Sequence, residues 1–201
     1  MLAIIDYDAG NIKSVYKALE YLGEEAIVTR KPELLKTADK VILPGVGAFG
    51  DAMERLHSYG LVEPIREIAK RGTPFMGICL GLQLFFEESE EAKGVEGLSL
   101  LPGKILKFPE GRGEKVPHMG WNSIHIAKES RILRGIPENS YVYFVHSYYL
   151  QAARREDVAA GAEYILPFDV AVERDHLFAT QFHPEKSGDL GLRILKNFCE
   201  I

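Results

Sequence analysis

The chain is poor in cysteine and tryptophan, with two of the first (Cys79 and Cys199) and one of the second (Trp121). Two cysteines are too few for a disulfide framework, which places the expected home of the chain in a reducing cytoplasm. There is no C-x-x-C pair and no H-x-x-x-H spacing among the six histidines, so no metal and no cofactor is expected. No apolar run approaches the ~18 residues of a membrane span. The opening MLAIIDYDAGN lacks the basic segment, long apolar core and cleavage site of a secretory signal. The 24 basic and 29 acidic residues are interspersed, giving a net charge of −5 with no basic block. Neither nucleic acid nor a membrane is therefore an expected partner. P-loops, internal repeats and low-complexity linkers are also missing.

What remains is an ordinary globular composition, 46% hydrophobic and 26% charged over 201 residues, enough for one sizeable core and a single domain spanning 1–201. LAIIDY (2–7), EAIVT, KVILPG (40–45) and TPFMGI (73–78) read as strands. Between them, NIKSVYKALEYLG repeats Ile12, Val15, Tyr16, Leu19 and Leu22 at helical spacing, and GDAMERLHSYGLVEPIREIAKRG reads as two helices broken near Gly60. LGLQLFFEES opens another helix. Strand alternating with helix predicts βαβ units and a parallel sheet. After about residue 97 the segments GKILKF, WNSIHIA, YVYFVHSYYL, VAAGAEYI and DVAVERDHLFATQF are strand-like, the last a hairpin turning at Arg174-Asp175. GDLGLRILKNFCE closes as a helix with Leu192, Leu195 and Cys199 on one face. The expected fold is three-layer α/β: a flavodoxin-like mixed sheet, helices on both faces, and an antiparallel extension in the C-terminal half.

Cys79 stands in Gly77-Ile78-Cys79-Leu80-Gly81, between a strand and a helix. A free cysteine is often just a small core residue, and on the apolar face of the last helix Cys199 is read that way. The G-x-C-x-G form argues otherwise for Cys79: an elbow between strand and helix lifts the nucleophile clear of the sheet. A helix N-terminus beside it favours thiolate, and the Leu80 N–H aims at a nascent oxyanion. A thiol needs a base. His57 and His176 are expected in solvent and His125 on an alternating strand. His183, in QFHPEKS (181–187), ends an apolar strand, and Glu185 two residues on shares its face in extended backbone. Together they form a Cys-His-Glu triad, or simply a strand end facing water. The turn PGVGAFG (44–50) follows the third strand, and its Gly47 N–H is a candidate second oxyanion donor. A zinc site made of Cys79, His183 and Glu185 lacks any supporting spacing.

PGVGAFG, GICLGLQ and QFHPEKS, in this order and at these separations, resemble the class I (triad) glutamine amidotransferases over essentially the whole chain. DYDAGN, PHMGWN (117–122) and YFVHSYY (143–149) are similar, within that family, to the glutaminase subunits of imidazole glycerol phosphate synthases. Asp8 departs from the pattern where many relatives have Gly, and Leu82 where many have Met. The resemblance implies that Cys79 attacks the glutamine side-chain amide, His183 moves the proton, Glu185 orients it, and the Gly47 and Leu80 amides hold the oxyanion. It also implies glutamine binding by Gln83, Glu91, Ser147 and Tyr148, although EESEE around Glu91 reads equally as a solvated acidic run.

Ammonia freed in neutral water is protonated and lost as a nucleophile, so an amidotransferase must pass it on under shelter. The triad uses both halves of this chain, which leaves the acceptor site to another polypeptide. By resemblance the partner is a (β/α)8-barrel cyclase subunit of histidine biosynthesis, forming a heterodimer. Asn11, Trp121, Tyr143 and Lys186 are candidate contacts with it; Trp121 as core, Tyr143 as strand packing and Lys186 as a plain surface charge are the competing readings. Three other functions stay open: a glutaminase serving a different synthase, a non-catalytic regulatory module with a sensor cysteine, and a cysteine hydrolase of peptides or γ-glutamyl chains.

Overall fold

The computed structural model describes residues 1–111 and 113–201. Its first half alternates strand and helix: β1 (Leu2–Ile5), α1 (Ile12–Tyr21), β2 (Ala26–Thr29), α2 (Pro32–Thr37), β3 (Lys40–Leu43), α3 (Phe49–Ser58), α4 (Val62–Arg71), β4 (Phe75–Ile78) and α5 (Leu80–Leu84). The second half is mostly strand: β5 (Glu88–Ser89), β6 (Gly103–Lys107), β7 (His118–Ser123), β8 (His125–Ile126), β9 (Tyr141–His146), β10 (Tyr148–Ala152), β11 (Val158–Glu163), β12 (Pro167–Arg174) and β13 (Leu177–Thr180), closed by α6 (Gly188–Cys199).

The main sheet runs β2-β1-β3-β4-β13-β12-β10-β6-β5, with β11 and β8 paired beyond β12. Strands β2, β1, β3, β4 and β13 are parallel. Their order is the 2-1-3-4-5 of a flavodoxin-like sheet, with the fifth parallel strand delivered only after about half the chain has been inserted. The strands beyond it, β12, β10 and β6, pair antiparallel, which is the expected extension. Every residue of β1, β4 and β13 is buried, as strands covered on both faces must be. Ala3 and Ile5 pack with residues of α2, α3 and α4, while Leu2 and Ile4 pack with Val15, Leu19, Ile194 and Leu195 of α1 and α6. A separate two-stranded antiparallel sheet, β7-β9, stands beside this body. Among the described residues no helix is long and apolar enough to cross a membrane.

Of the elements that differ from the sequence expectation, three do so for a clear local reason. Helix α2 is six residues, and of these only Leu35 is buried, too few apolar positions to show a period. The helix after Cys79 stops at Leu84 and does not run on through Ser89. The carbonyls of Leu84 and Phe85 accept the N–H groups of Leu98 and Leu100, both at 2.8 Å, so a returning loop replaces the next helical turn. YVYFVHSYYL is not one strand: it breaks at Ser147 into β9 and β10, which belong to different sheets.

Gly81 is required by close approach. A Cβ there would fall on the carbonyl oxygen of Leu43, and backbone cannot move aside as a flexible side chain can. Gly81→Ala is expected to cost about 3 kcal/mol, read as a lowered urea midpoint; an unchanged midpoint would show that β3 can yield.

Candidate active site

Three loops meet at the carboxyl ends of adjacent parallel strands β3, β4 and β13, the usual ligand position of an open α/β sheet. Leu43 pairs with Gly77 and Ile78 with Thr180, so the turn 44–50, Cys79 and the segment 181–187 emerge side by side. Cys79 has φ 56° and ψ −107°, a conformation strained for a residue with a Cβ. It is pinned by its N–H to Thr180 O at 2.8 Å. The elbow predicted from G-x-C-x-G is therefore present, although the five-residue α5 supplies less dipole than a full helix.

His183 and Glu185 meet with completely buried side chains, Nδ1 to Oε1 2.6 Å. The route differs from the extended backbone expected: β13 ends at Thr180, and Pro184–Lys186 form a 3-10 turn with Pro184 at its first position. Proline fits the start of such a turn because its missing N–H is not needed there. The Asn11 amide donates to the same Glu185 oxygen, leaving Glu185 Oε2 buried without a partner among the described residues. Among the described residues His183 Nε2 likewise has no hydrogen-bond partner, although Cys79 lies near enough to raise its pKa. Burial lowers the imidazole pKa, but the nearby Cys79 and Glu185 together outweigh it and push it up to about 10.

In front of Cys79 lies a cavity of ≈ 260 Å³ lined by Val46, Gly47, Cys79, Leu80, Gln83, Glu91, Pro117, Val145, His146, Ser147 and Tyr148. It is smaller than the ~300–1,000 Å³ of drug-sized sites, nearer the scale of one amino acid. Gln83, Glu91, Ser147 and Tyr148 thus converge from segments far apart in sequence. Glu91 is half-buried with Oε2 on the Phe49 N–H at 2.8 Å, while Glu87, Glu88 and Glu90 face solvent. The acidic run is therefore not uniformly solvated. Gln83 is buried and donates to Tyr148 O at 3.2 Å and Gln181 Oε1 at 3.1 Å.

The turn 44–50, expected to bear the oxyanion donors, departs from expectation in one respect. The Leu80 N–H is not free: it donates to Gly45 O at 3.3 Å. Gly47 sits at φ 108° with open space where a Cβ would be. Residues 45–50 also spell G-x-G-x-x-G between a strand and a helix. A dinucleotide site needs an acidic residue near the end of the next strand, and here Cys79 follows β4.

The candidate contact residues separate. Trp121 is 56% exposed and Met119 62%, which excludes Trp121 from the core. Trp121 packs edge-on to its cross-strand neighbour Tyr143, ring centroids 6.1 Å apart. Lys186 is exposed. Asn11, by contrast, reaches the His183–Glu185 pair, its amide 3.3 Å from His183 Nδ1. Asp8 has φ 60° and is held by Arg30 at 2.6 Å and by Tyr59. Those contacts lower its carboxyl pKa, Tyr59 and Arg30 contributing first. Two residues at the site escaped the sequence reading. Gln181 approaches the sulfur, Nε2 to Sγ 3.7 Å; the alternation that paired His183 with Glu185 also pointed back to it. His146 carried no such signal.

His146 forms a buried pair with His118, Nε2 to Nδ1 2.9 Å. Burial lowers the His118 pKa to about 4 and, with the backbone bond to Tyr148 opposing, that of His146 to about 3. Both folded values lie below the unfolded ~6.5, so as pH falls the unfolded chain protonates first. Their contribution is complete above pH ~6.5 and is lost on the way down to pH ~3. At pH 5 the loss is about 2–4 kcal/mol for the pair. Urea midpoints at pH 7.5 and 5 are expected to fall sharply in the wild type and much less in His118→Phe/His146→Phe; equal falls would refute the assignment. His183, raised, acts oppositely: its contribution is present below ~6.5 and lost as pH climbs through about 10.

A strained thiol with a buried imidazole–carboxylate behind it can open an amide by forming a thioester, the chemistry of a cysteine-dependent amidohydrolase on an open α/β sheet. The chain belongs to the class-I glutamine amidotransferases, whose family description matches residues 3–201. It is 52% identical over 200 residues to the imidazole glycerol phosphate synthase subunit HisH of Moorella thermoacetica, covering 100% of this chain and 94% of that one. To the same subunit of Syntrophotalea carbinolica it is 51% identical over 206 residues, covering 100% of both. Methanocaldococcus jannaschii supplies another at 50% over 202 residues, again 100% of both. Two solved structures share the fold. A crystal structure of a glutamine amidotransferase superposes with TM-score 0.77 at 20% identity, covering 98% of this chain and 97% of that one. The glutaminase domain of Trypanosoma brucei CTPS with bound acivicin has TM-score 0.69 at 16% identity, covering 99% and 93%.

Proposed function

We propose that this chain, acting as one domain over residues 1–201, is the glutaminase subunit of an imidazole glycerol phosphate synthase. It hydrolyses glutamine to glutamate and hands the ammonia to a (β/α)8-barrel cyclase subunit. The carrying observation is the convergence of Cys79, His183 and Glu185 beside a cleft of amino-acid size, in a chain about half identical to HisH subunits over full length.

His183 Nε2 takes the Cys79 proton, and the resulting thiolate Sγ attacks the glutamine Cδ. The C–N bond breaks as His183 returns that proton to the leaving ammonia. Water then attacks the γ-glutamyl thioester, His183 taking its proton and giving it back to the thiolate as glutamate departs. Glu185, fixed by Asn11, holds the imidazole in the tautomer that keeps Nε2 toward sulfur. Glu91 pairs with the α-ammonium, while Gln83, Ser147 and Tyr148 frame the rest of the glutamine. The Leu80 N–H becomes an oxyanion donor once Gly45 O turns away. Gly45 O and the Val46 N–H lie on opposite edges of one peptide plane, so the flip also brings the Val46 N–H to the oxyanion beside Gly47. The exposed Met119 and Trp121, with Tyr143 and Lys186 nearby, form the face offered to the cyclase.

The test is glutamate release from glutamine by the chain alone and with its own organism's cyclase and nucleotide substrate. Stimulation by both together is the expected result. Hydrolysis indifferent to the cyclase would detach the chain from this synthase.

A further inference from the structure

Behind the glutamine cleft the buried polar groups join into one line, and hydrogen-bond chemistry fixes its direction. His146 Nδ1 lies 2.8 Å from Tyr148 O, an acceptor only, so Nδ1 carries the proton and Nε2 does not. His118 must then donate from Nδ1 across the 2.9 Å to His146 Nε2, leaving its own Nε2 to accept from the Asn122 amide at 3.3 Å. On the far side of Tyr148 O, the Gln83 amide donates both to that carbonyl and to Gln181 Oε1. This settles which way the Gln181 amide points: its nitrogen faces Cys79 Sγ at 3.7 Å. Gln181 is fully buried, and the two imidazoles are boxed by Phe108, Phe144 and Tyr164.

We propose that Gln181 is a further catalytic residue, donating a hydrogen bond that steadies the Cys79 thiolate, and that His146 and His118 are positioning residues that hold its donor on the sulfur through Tyr148 O and Gln83. The line begins on β7, whose opposite side carries the exposed Met119 and Trp121. A shift of that strand thus has a direct mechanical route to the nucleophile. This rests on the reading of Cys79 as nucleophile.

The experiment is the pH dependence of alkylation of Cys79 by iodoacetamide in the full chain, located by peptide mass. Cys199 serves as internal control, since burial pushes its thiol up to about 12. The ionisable groups facing the sulfur are His183 with Glu185 behind it, Tyr7 from the loop after β1, and Glu91 and His146 across the cleft. Gln181→Met alters none of them and conserves volume. It is expected to slow alkylation at pH 7 about fivefold to tenfold and move the profile up by about one unit. His146→Phe should move the profile the same way by less, and His146→Asn, which keeps a donor near the Nδ1 position, should restore it. In Gln181→Met/His146→Phe the shift should equal that of Gln181→Met alone, because one relay is cut twice. An unmoved profile in Gln181→Met removes Gln181 from the sulfur. Additive shifts, or no rescue by asparagine, dissolve the relay. Wild-type Cys79 as inert as Cys199 would overturn the nucleophile reading itself.

Discussion

Cys79→Ala abolishes glutamine hydrolysis, with a loss of about 10⁴–10⁶ in kcat, while leaving the fold intact. The size follows from the chemistry: with no thiolate there is no covalent route, and the residual rate reflects binding and electrostatics alone. His183→Asn should lose nearly as much, because a thiol without its base neither forms the thiolate nor protonates the departing ammonia. Glu185→Gln should lose less, since glutamine still occupies the space while presenting the wrong hydrogen-bonding partner to Nδ1. The measurement is glutamate release in the presence of the cyclase and its nucleotide. A parallel assay supplies ammonium salt in place of glutamine. The cyclase should then turn over equally well with wild-type and Cys79→Ala chains, because external ammonia bypasses the thiol. Loss of the ammonium reaction as well would point to a failed cyclase preparation, not to the thiol.

Partner and nucleotide together raise kcat for glutamine hydrolysis by about 10²–10³. That is the cost of removing one oxyanion donor in related chemistry, and the candidate donor Leu80 N–H is already committed in this structure. The Leu80 N–H is held by Gly45 O at 3.3 Å, so the tetrahedral intermediate would form at rest without it. Turning the Gly45–Val46 peptide releases that N–H and presents a second one, without moving the nucleophile. The glycines on both sides of Val46 make the turn permissive, with Gly47 at φ 108° and nothing within 4 Å of its absent Cβ. Substituting Gly47 by Ala, which strains that φ, should cut the stimulated rate far more than the unstimulated one. An isolated chain as fast as the complex would show that the hole is already complete, and the control would have to lie elsewhere. KM for glutamine should change little beside kcat, because the oxyanion exists only in the transition state.

Much of this protein was legible along the chain. The alternation of buried strands and amphipathic helices in the first half is a local property, since burial on both faces demands runs such as LAII and KVIL, and α1, α3 and α4 carry one apolar stripe each. The elbow was equally legible, because G-x-C-x-G states a backbone requirement: Gly81 must pass the Leu43 carbonyl, and Cys79 must take a positive φ. The antiparallel extension and the hairpin near Arg174-Asp175 also follow from local pattern.

Tertiary structure alone decided the rest, because it concerns which distant segments become neighbours. Nothing in TPFMGI or LFATQF says that β13 lies beside β4, yet that pairing brings Gln181 and His183 to Cys79. The break at Ser147 left no mark in an unbroken alternating pattern; it exists because β9 pairs with β7 and β10 with β6. Asn11 read as a candidate partner contact, and only the folded loop after β1 brings its amide onto Glu185. The 3-10 turn joining His183 to Glu185 replaced the extended step that spacing implied, with the same contact as its result. Residue types thus determined which chemistry was available. Strand order determined which groups share it, since a hydrogen bond needs its partners within about 3 Å and no sequence separation expresses that distance.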